Sequence, residues 1–203
     1  MAELTTAVFD IGGVILRWDP RAAYAPAAGP DEIERFMSEV DWPSWNRSLD
    51  AGRPVAEGEA ELAQRFPHWA HLAPVYRENN QLAITGEVEG TAAVLDELRR
   101  AGVRLLALTN WSPETFTPTR ARFTVLEVFE GIVVSGAEGV TKPDPAIFRV
   151  LCARYRLDAT EAVFIDDSVA NVDSARRFGL HALRFHDAAR LRVDLADLGL
   201  LPR

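Results

Sequence analysis

The stretch "VFDIGGVIL" (Val8–Leu16) places an aspartate at the end of an apolar run and follows it at once with two glycines. The residues leading into it, Thr5 to Phe9, read as a short strand, since brief apolar runs rich in β-branched and aromatic side chains suit strands covered on both faces. A carboxylate at such a strand end costs stability unless it is used, so Asp10 is a candidate for chemistry. Four further runs read as strands: "VRLLALT" from Val103, "GIVVS" from Gly131, "AVFI" from Ala162 and "HALRF" from His181. Helical patterns lie between them. Val94, Leu95 and Leu98 share a face that ends at Gly102, and Val169, Val172, Ala175 and Phe178 recur before Gly179 in a helix expected to open at Ser168. Strands alternating with helices predict an α/β fold built on a parallel sheet.

One segment breaks the alternation. From about Asp19 to Glu87 the sequence offers no strand pattern, only helix-like pieces such as "PDEIERFMSEV" and "VAEGEAELAQRF", punctuated by Pro26, Pro30, Pro43, Pro54 and Pro67. This predicts a small α-helical cap inserted after the first strand, with residues 1–17 and 88–203 forming the core and 18–87 the cap. Trp42, Trp45 and Trp69 lie in the insertion, where tryptophans fill a small bundle core or face a ligand.

Composition narrows the function classes. The 203 residues carry 22 basic and 30 acidic side chains, a net charge of −8 that disfavours nucleic acid and anionic membrane as partners. No basic run interleaves with aromatics, and no stretch approaches the roughly 18 apolar residues of a membrane span. The start, "MAELTTAVFD", lacks a basic segment before an apolar core, so a cytoplasmic location is expected. The single cysteine, Cys152, cannot form an internal disulfide and reads as a buried structural thiol. His68 and His71 have no third ligand nearby in sequence and read as cap surface. A monomer and a homodimer are both compatible with the sequence.

In an open parallel sheet, ligands bind beyond the carboxyl ends of the strands. Asp10 follows the first strand, Thr109 and Asn110 the second, and Asp166 and Asp167 the strand "AVFI". Three carboxylates crowded together repel unless a cation joins them, and Mg²⁺ suits a few carboxylates supplemented by water and a phosphate oxygen. Lys142, in "GVTKPDP", is placed to counter an anion.

Taken in order, "VFDIGGV", "LLALTN", "GVTKPDP" and "VFIDDSVANVDSA" resemble the four motifs of the haloacid dehalogenase-like (HAD) hydrolase superfamily, and the resemblance covers essentially the whole chain, cap included. It implies a Rossmann-like core with Asp10 as the nucleophile that forms an aspartyl-phosphate. Thr109 hydroxyl and Asn110 backbone N–H would hold the transferring oxygens, and Lys142 would offset their charge. Mg²⁺ would be held by Asp10, the Gly12 carbonyl, Asp166 and Asp167. Trp111, Trp42, Trp45 and Asn171 are the candidates for substrate contact. The partner so implied is a small phosphorylated molecule.

The departure is at Gly12. Most phosphatases of this superfamily carry a second aspartate there, acting as general acid and then base, and its loss could lower the rate by ~10²–10⁴-fold. A subset similar to bacterial sugar-phosphate phosphatases, of the glucose-1-phosphate type, shares the D-x-G first motif. The pieces "WDPR" and "NRSLDAGRPVAEGE" are also similar to it. The expected function is therefore a Mg²⁺-dependent phosphomonoester hydrolase. Asp19 is a candidate substitute acid, against its alternative as a cap before Pro20. Two other functions are compatible. A 2-haloacid dehalogenase also needs only the first aspartate, because halide leaves without a proton, although the Asp166–Asp167 pair argues against it. A non-catalytic binding protein is argued against by the retention of buried charges that cost stability.

Overall fold

Seven strands form in the computed structural model, which describes residues 3–203. They are β1 (Thr6–Phe9), β2 (Leu16–Trp18), β3 (Ile84–Glu87), β4 (Arg104–Thr109), β5 (Gly131–Val134), β6 (Ala162–Asp166) and β7 (His181–Arg184). Five of them make one sheet in the order β5-β4-β1-β6-β7, every pair parallel. The central β1 pairs Phe9 with Ala107 of β4 and Ile165 of β6, so the three strands end at the same edge.

Side-chain alternation along each strand explains why both faces are buried. Ala7, Phe9, Leu105, Ala107, Val163 and Ile165 enter one core, and Val8, Leu106, Leu108 and Phe164 enter another. Helices cover both. Thr91–Arg100 supplies Val94, Leu95 and Leu98 to the first core, with Leu191 and Leu195 from Ala188–Asp197. Pro145–Tyr155 supplies Ile147, Phe148 and Leu151 to the second, with Val172 and Ala175 from Val169–Phe178. Phe148 meets Phe164 edge-on with ring centroids 5.4 Å apart, the pair adding about 0.5–1.5 kcal/mol beyond the burial of the two rings.

The insertion after β1 is helical, with α1 (Pro30–Glu39), α2 (Trp42–Asp50) and α3 (Val55–Arg65) around a core of its own that includes Tyr24, Phe36, Trp42, Trp45, Leu49 and Trp69. One expectation fails here. Ile84–Glu87, within the segment read as strandless, pairs antiparallel with Leu16–Trp18. This two-stranded ribbon links core and insertion, and only Leu16 and Ile84 of it are buried. A short ribbon with one buried residue per strand carries no apolar run to read. No helix among the described residues is long and apolar enough to cross a membrane. His68 pairs with Glu39 at 2.8 Å on the exposed surface of the insertion. Cys152 is half-buried rather than fully enclosed.

Candidate active site

The shared edge of β1, β4 and β6 brings the acids together. Asp10 continues β1, its backbone N–H donating to Ile165 carbonyl at 2.8 Å. Its Oδ1 accepts from Ile11 N–H at 2.7 Å and lies 2.9 Å from Lys142 Nζ. Lys142 is wholly buried, and an ammonium has three protons to place. They go to Asp10 Oδ1, Asp166 Oδ2 (2.7 Å) and Leu108 carbonyl (2.8 Å). Burial works against the charged lysine, yet the two carboxylates outweigh it and hold its pKa above the ordinary value.

Asp166 is also fully buried. Its Oδ1 accepts from Ser168 N–H at 2.8 Å and from Asn171 Nδ2 at 3.0 Å. The helix expected to be capped by the Ser168 side chain is therefore opened by the Asp166 carboxylate, which takes the Ser168 N–H; the Ser168 hydroxyl makes no cap bond. Asn171, expected to face substrate, is buried behind Asp166 and orients it. Asn110 has a related place. Its side chain closes a pair of bonds with Lys142 backbone, Nδ2 donating to the carbonyl at 2.9 Å and Oδ1 accepting from N–H at 2.8 Å. Thr109, at the end of β4, is buried beside the cavity.

The carboxylate at the end of β1 is not ordinary. Burial pushes Asp10 up to about 7, Lys142 pulls it down, and the neighbouring Asp166 charge adds to the rise. Burial raises Asp167 as well, with Asp166 again contributing. Asp10, Asp166 and Asp167 each present a ligand atom within 4.8 Å of the others. Against three carboxylates stands one ammonium, so the cluster lacks two positive charges and its all-oxygen donor set fits a hard divalent cation. Gly13 shapes it. At φ +78° this residue turns the chain, and a Cβ there would come 2.5 Å from Asp167 Oδ2. Gly12 differs, because a Cβ at that position would meet no atom within 4 Å.

A cavity of about 820 Å³ opens over the cluster. From the core it is lined by Asp10, Gly12, Thr109, Asn110, Trp111 and Asp167, and from the insertion by Trp18, Trp42, Asn46, Asp50 and Tyr76 among others. Trp111 serves both as wall and as packing: its N–H donates to Ser135 Oγ and its indole to Thr115 Oγ1 at 3.1 Å. Trp42 packs against Trp18 and edge-on to Tyr76. Trp45 lies outside this cavity, its indole donating to Gly58 carbonyl at 3.0 Å inside the insertion's own core. Asp19 lines the cavity rim, but its Oδ1 accepts from Arg21 N–H at 3.0 Å, the turn-forming bond expected of a residue before Pro20.

Sequence reading missed Asp50. This last residue of α2 lines the cavity, and its Oδ2 accepts from Asn46 Nδ2 at 3.0 Å. Burial pushes its carboxyl up to about 7, against the pull of the Ser112 amide and Lys142. Trp42, Asn46 and Asp50 are spaced four apart and share one helical stripe, but that spacing does not say that the stripe faces the core.

A parallel sheet with a helical insertion after its first strand, and an acidic cluster at the strand ends, defines a Rossmann-like core with a cap over a site built on carboxylates. The chain belongs to the haloacid dehalogenase-like hydrolases, whose family model matches residues 4–179. It is 30% identical over 120 residues to the glyceraldehyde 3-phosphate phosphatase of Pyrococcus abyssi, a match covering 59% of this chain and 50% of that one. It is 24% identical over 201 residues to a sesquiterpene phosphatase of Aspergillus oryzae, covering 95% of each. The chain thus spans half the length of the archaeal relative and nearly all of the fungal one. Among solved structures, a HAD-family enzyme from Bacteroides thetaiotaomicron in complex with magnesium and inorganic phosphate shares the fold. Its TM-score is 0.72 at 18% identity, over 93% of this chain and 98% of that one.

Proposed function

We propose that this hydrolase is a Mg²⁺-dependent phosphomonoesterase that acts on a small phosphorylated metabolite, with a sugar phosphate as the first class to test. The observation that carries the reading is the state of Asp10. Its Oδ1 is held by Ile11 N–H and Lys142, while Oδ2 accepts no hydrogen bond among the described residues and is free to attack. The relatives named above support the class, one being a phosphatase of glyceraldehyde 3-phosphate and the other a sesquiterpene phosphatase.

In this reading the phosphoryl group enters between Thr109 hydroxyl and Asn110 N–H, and Asp10 Oδ2 bonds to phosphorus as the ester oxygen leaves. Water then cleaves the aspartyl-phosphate and restores Asp10. Asp10, the Gly12 carbonyl, Asp166 and Asp167 would hold Mg²⁺, which supplies charge neutralisation for the phosphoryl oxygens. Lys142 keeps Asp10 and Asp166 close despite their like charges. Asn110 fixes Lys142, and Asn171 fixes Asp166. The cap, residues 18–87, encloses the leaving group with Trp18 and Trp42 against Trp111 of the core and keeps bulk water out.

The test is phosphate release from p-nitrophenyl phosphate, glucose 1-phosphate and glyceraldehyde 3-phosphate, with Mg²⁺ or with chelator, for the wild type and Asp10→Asn. Metal-dependent release that disappears in the variant is the expected result. Gly12 favours one second reading, a 2-haloacid dehalogenase. Metal-independent halide release from 2-chloropropionate, with no phosphate release, would establish it instead.

A further inference from the structure

We propose that Asp50, reaching the site from the cap, is the proton donor and acceptor that Gly12 cannot be. The inference rests on the phosphatase reading and adds a residue to it. An alkoxide leaving from phosphorus needs a proton, and Gly12 has none to offer. Around the cavity stand six carboxyl groups: Asp10, Asp19, Glu34, Asp41, Asp50 and Asp167. Asp10 and Asp167 belong to the acidic cluster. Asp19 is bonded to Arg21 N–H, and Glu34 is paired with the Arg21 guanidinium. Asp41 is exposed, at a left-handed φ of 49° before α2.

Asp50 differs from all of these. Its carboxyl's partners are neutral, the Asn46 side-chain amide and the Ser112 backbone amide, and no cation lies in contact with it among the described residues. Its position is also rigid. The Asp50 carbonyl accepts from Ser135 Oγ at 2.5 Å, and the same hydroxyl accepts from Trp111 N–H at 3.0 Å. One serine thus ties the end of α2 to the loop after β4 that carries Asn110 and Trp111. Two residues on, Gly52 has φ +98°, and a Cβ there would lie 2.7 Å from Gly136 carbonyl, so cap and core backbones touch at this seam.

The charged groups around Asp50 fit the role. Lys142 faces it from the core and Tyr76 from the cap, and burial makes Tyr76 hold its own proton more tightly, with Asp50 adding a smaller push. Of the other charges nearby in sequence or space, Arg53 pairs with Glu61, Arg47 donates to Ser44, and Glu114 accepts from Val55 N–H at 2.9 Å. Burial then places the Asp50 titration near neutrality, where a group that must both give and take a proton works best. In the first half-reaction the Asp50 proton passes to the ester oxygen as its bond to phosphorus breaks and the Asp10–phosphorus bond forms. In the second, the Asp50 carboxylate takes a proton from the water that attacks phosphorus. The Asp10–phosphorus bond breaks, phosphate departs, and Asp50 is again protonated.

The experiment compares kcat/KM for p-nitrophenyl, phenyl and p-methoxyphenyl phosphates in the wild type, Asp50→Asn and Asp50→Glu. Because p-nitrophenolate leaves without a proton, Asp50→Asn should lose on the order of 10²-fold or more on phenyl phosphate and under about tenfold on p-nitrophenyl phosphate. Asp50→Glu should recover most of the flat wild-type dependence on leaving group. In the wild type alone, the phenyl to p-nitrophenyl ratio of kcat/KM should fall as pH rises through about 7. Equal losses across the series, or a ratio that does not change with pH, would overturn the role of Asp50 and leave the phosphatase reading standing. Absence of phosphate release by the wild type from every ester would overturn both.

Discussion

Replacing Lys142 by methionine tests the charge balance on which the site depends. The side chain is fully buried, and its three protons serve Asp10, Asp166 and Leu108 carbonyl at 2.7–2.9 Å. Methionine matches its length without its charge, leaving two buried carboxylates facing each other. Removing one partner of a buried ion pair costs about 3–5 kcal/mol. For a chain of this size, each kcal/mol shifts Tm by roughly 2–4 °C, so Lys142→Met should unfold about 6–20 °C earlier in metal-free buffer. The loss should depend on pH in a set direction. Burial already raises Asp10 to about 7 in the folded chain, above its ordinary value. A raised acid contributes stability that is full at acid pH and lost as pH rises through the folded value. Without the opposing pull of Lys142 the Asp10 carboxyl rises further, so the deficit should be largest above neutrality and shrink toward about pH 5. Excess Mg²⁺ should return part of the stability, about 2.7 kcal/mol at a hundred times its Kd, and at one fixed concentration more in the variant than in the wild type, because loss of the neighbouring ammonium strengthens the attraction of the acids for the ion. Thermal unfolding at two pH values, with and without Mg²⁺, measures all three effects. A deficit below about 1 kcal/mol, or one equal at both pH values, would refute the reasoning that Lys142 holds two ionised acids together.

Two glycines give further tests at the same strand end. Gly12→Asp should fold, since its Cβ meets nothing within 4 Å, and in the Asp50→Asn background, where the leaving oxygen has lost its donor, it should raise kcat/KM for phenyl phosphate by on the order of tenfold; an unchanged rate there would mean that position 12 does not reach the leaving oxygen. Gly13→Ala should do the opposite, because its φ of +78° and a 2.5 Å approach to Asp167 Oδ2 force the carboxylate away. Mg²⁺ affinity, read from calorimetric titration, should fall by roughly 10–100-fold, and an unchanged Kd would show that Asp167 does not bind the ion.

The parts of this molecule that were legible in sequence are those set by backbone register. Apolar runs that must be covered on both faces identified all five strands of the main sheet. Parallel pairing of Phe9 with Ala107 and Ile165 then makes it unavoidable that Asp10, Thr109 and Asp166 meet at one edge. Side-chain direction was less legible. Asn110 and Asn171 follow the right strands, but an amide can face a ligand or brace a neighbour equally well, and here both brace: one the Lys142 backbone, the other the Asp166 carboxylate. Trp42 and Trp45 lie three residues apart on α2, and both belong to the buried face of the insertion. Which of them also lines the cavity depends on how the helix meets the core, and no local pattern encodes that.

Asp50 escaped for the same reason in stronger form. In isolation it is an acid at the end of a helix, a position the dipole disfavours and where a cation would be expected. Its meaning comes from Ser135, 85 residues away, which fixes the end of α2 against the Trp111 loop and sets the carboxyl over the same cavity as Asp10. The blank at Gly12 was visible along the chain, and the residue positioned to fill it became visible only when cap and core were brought together. If one family position can be vacated while a cap residue takes over its proton, the first motif alone does not decide whether a member of this family can expel a poor leaving group. The seam between cap and core decides it.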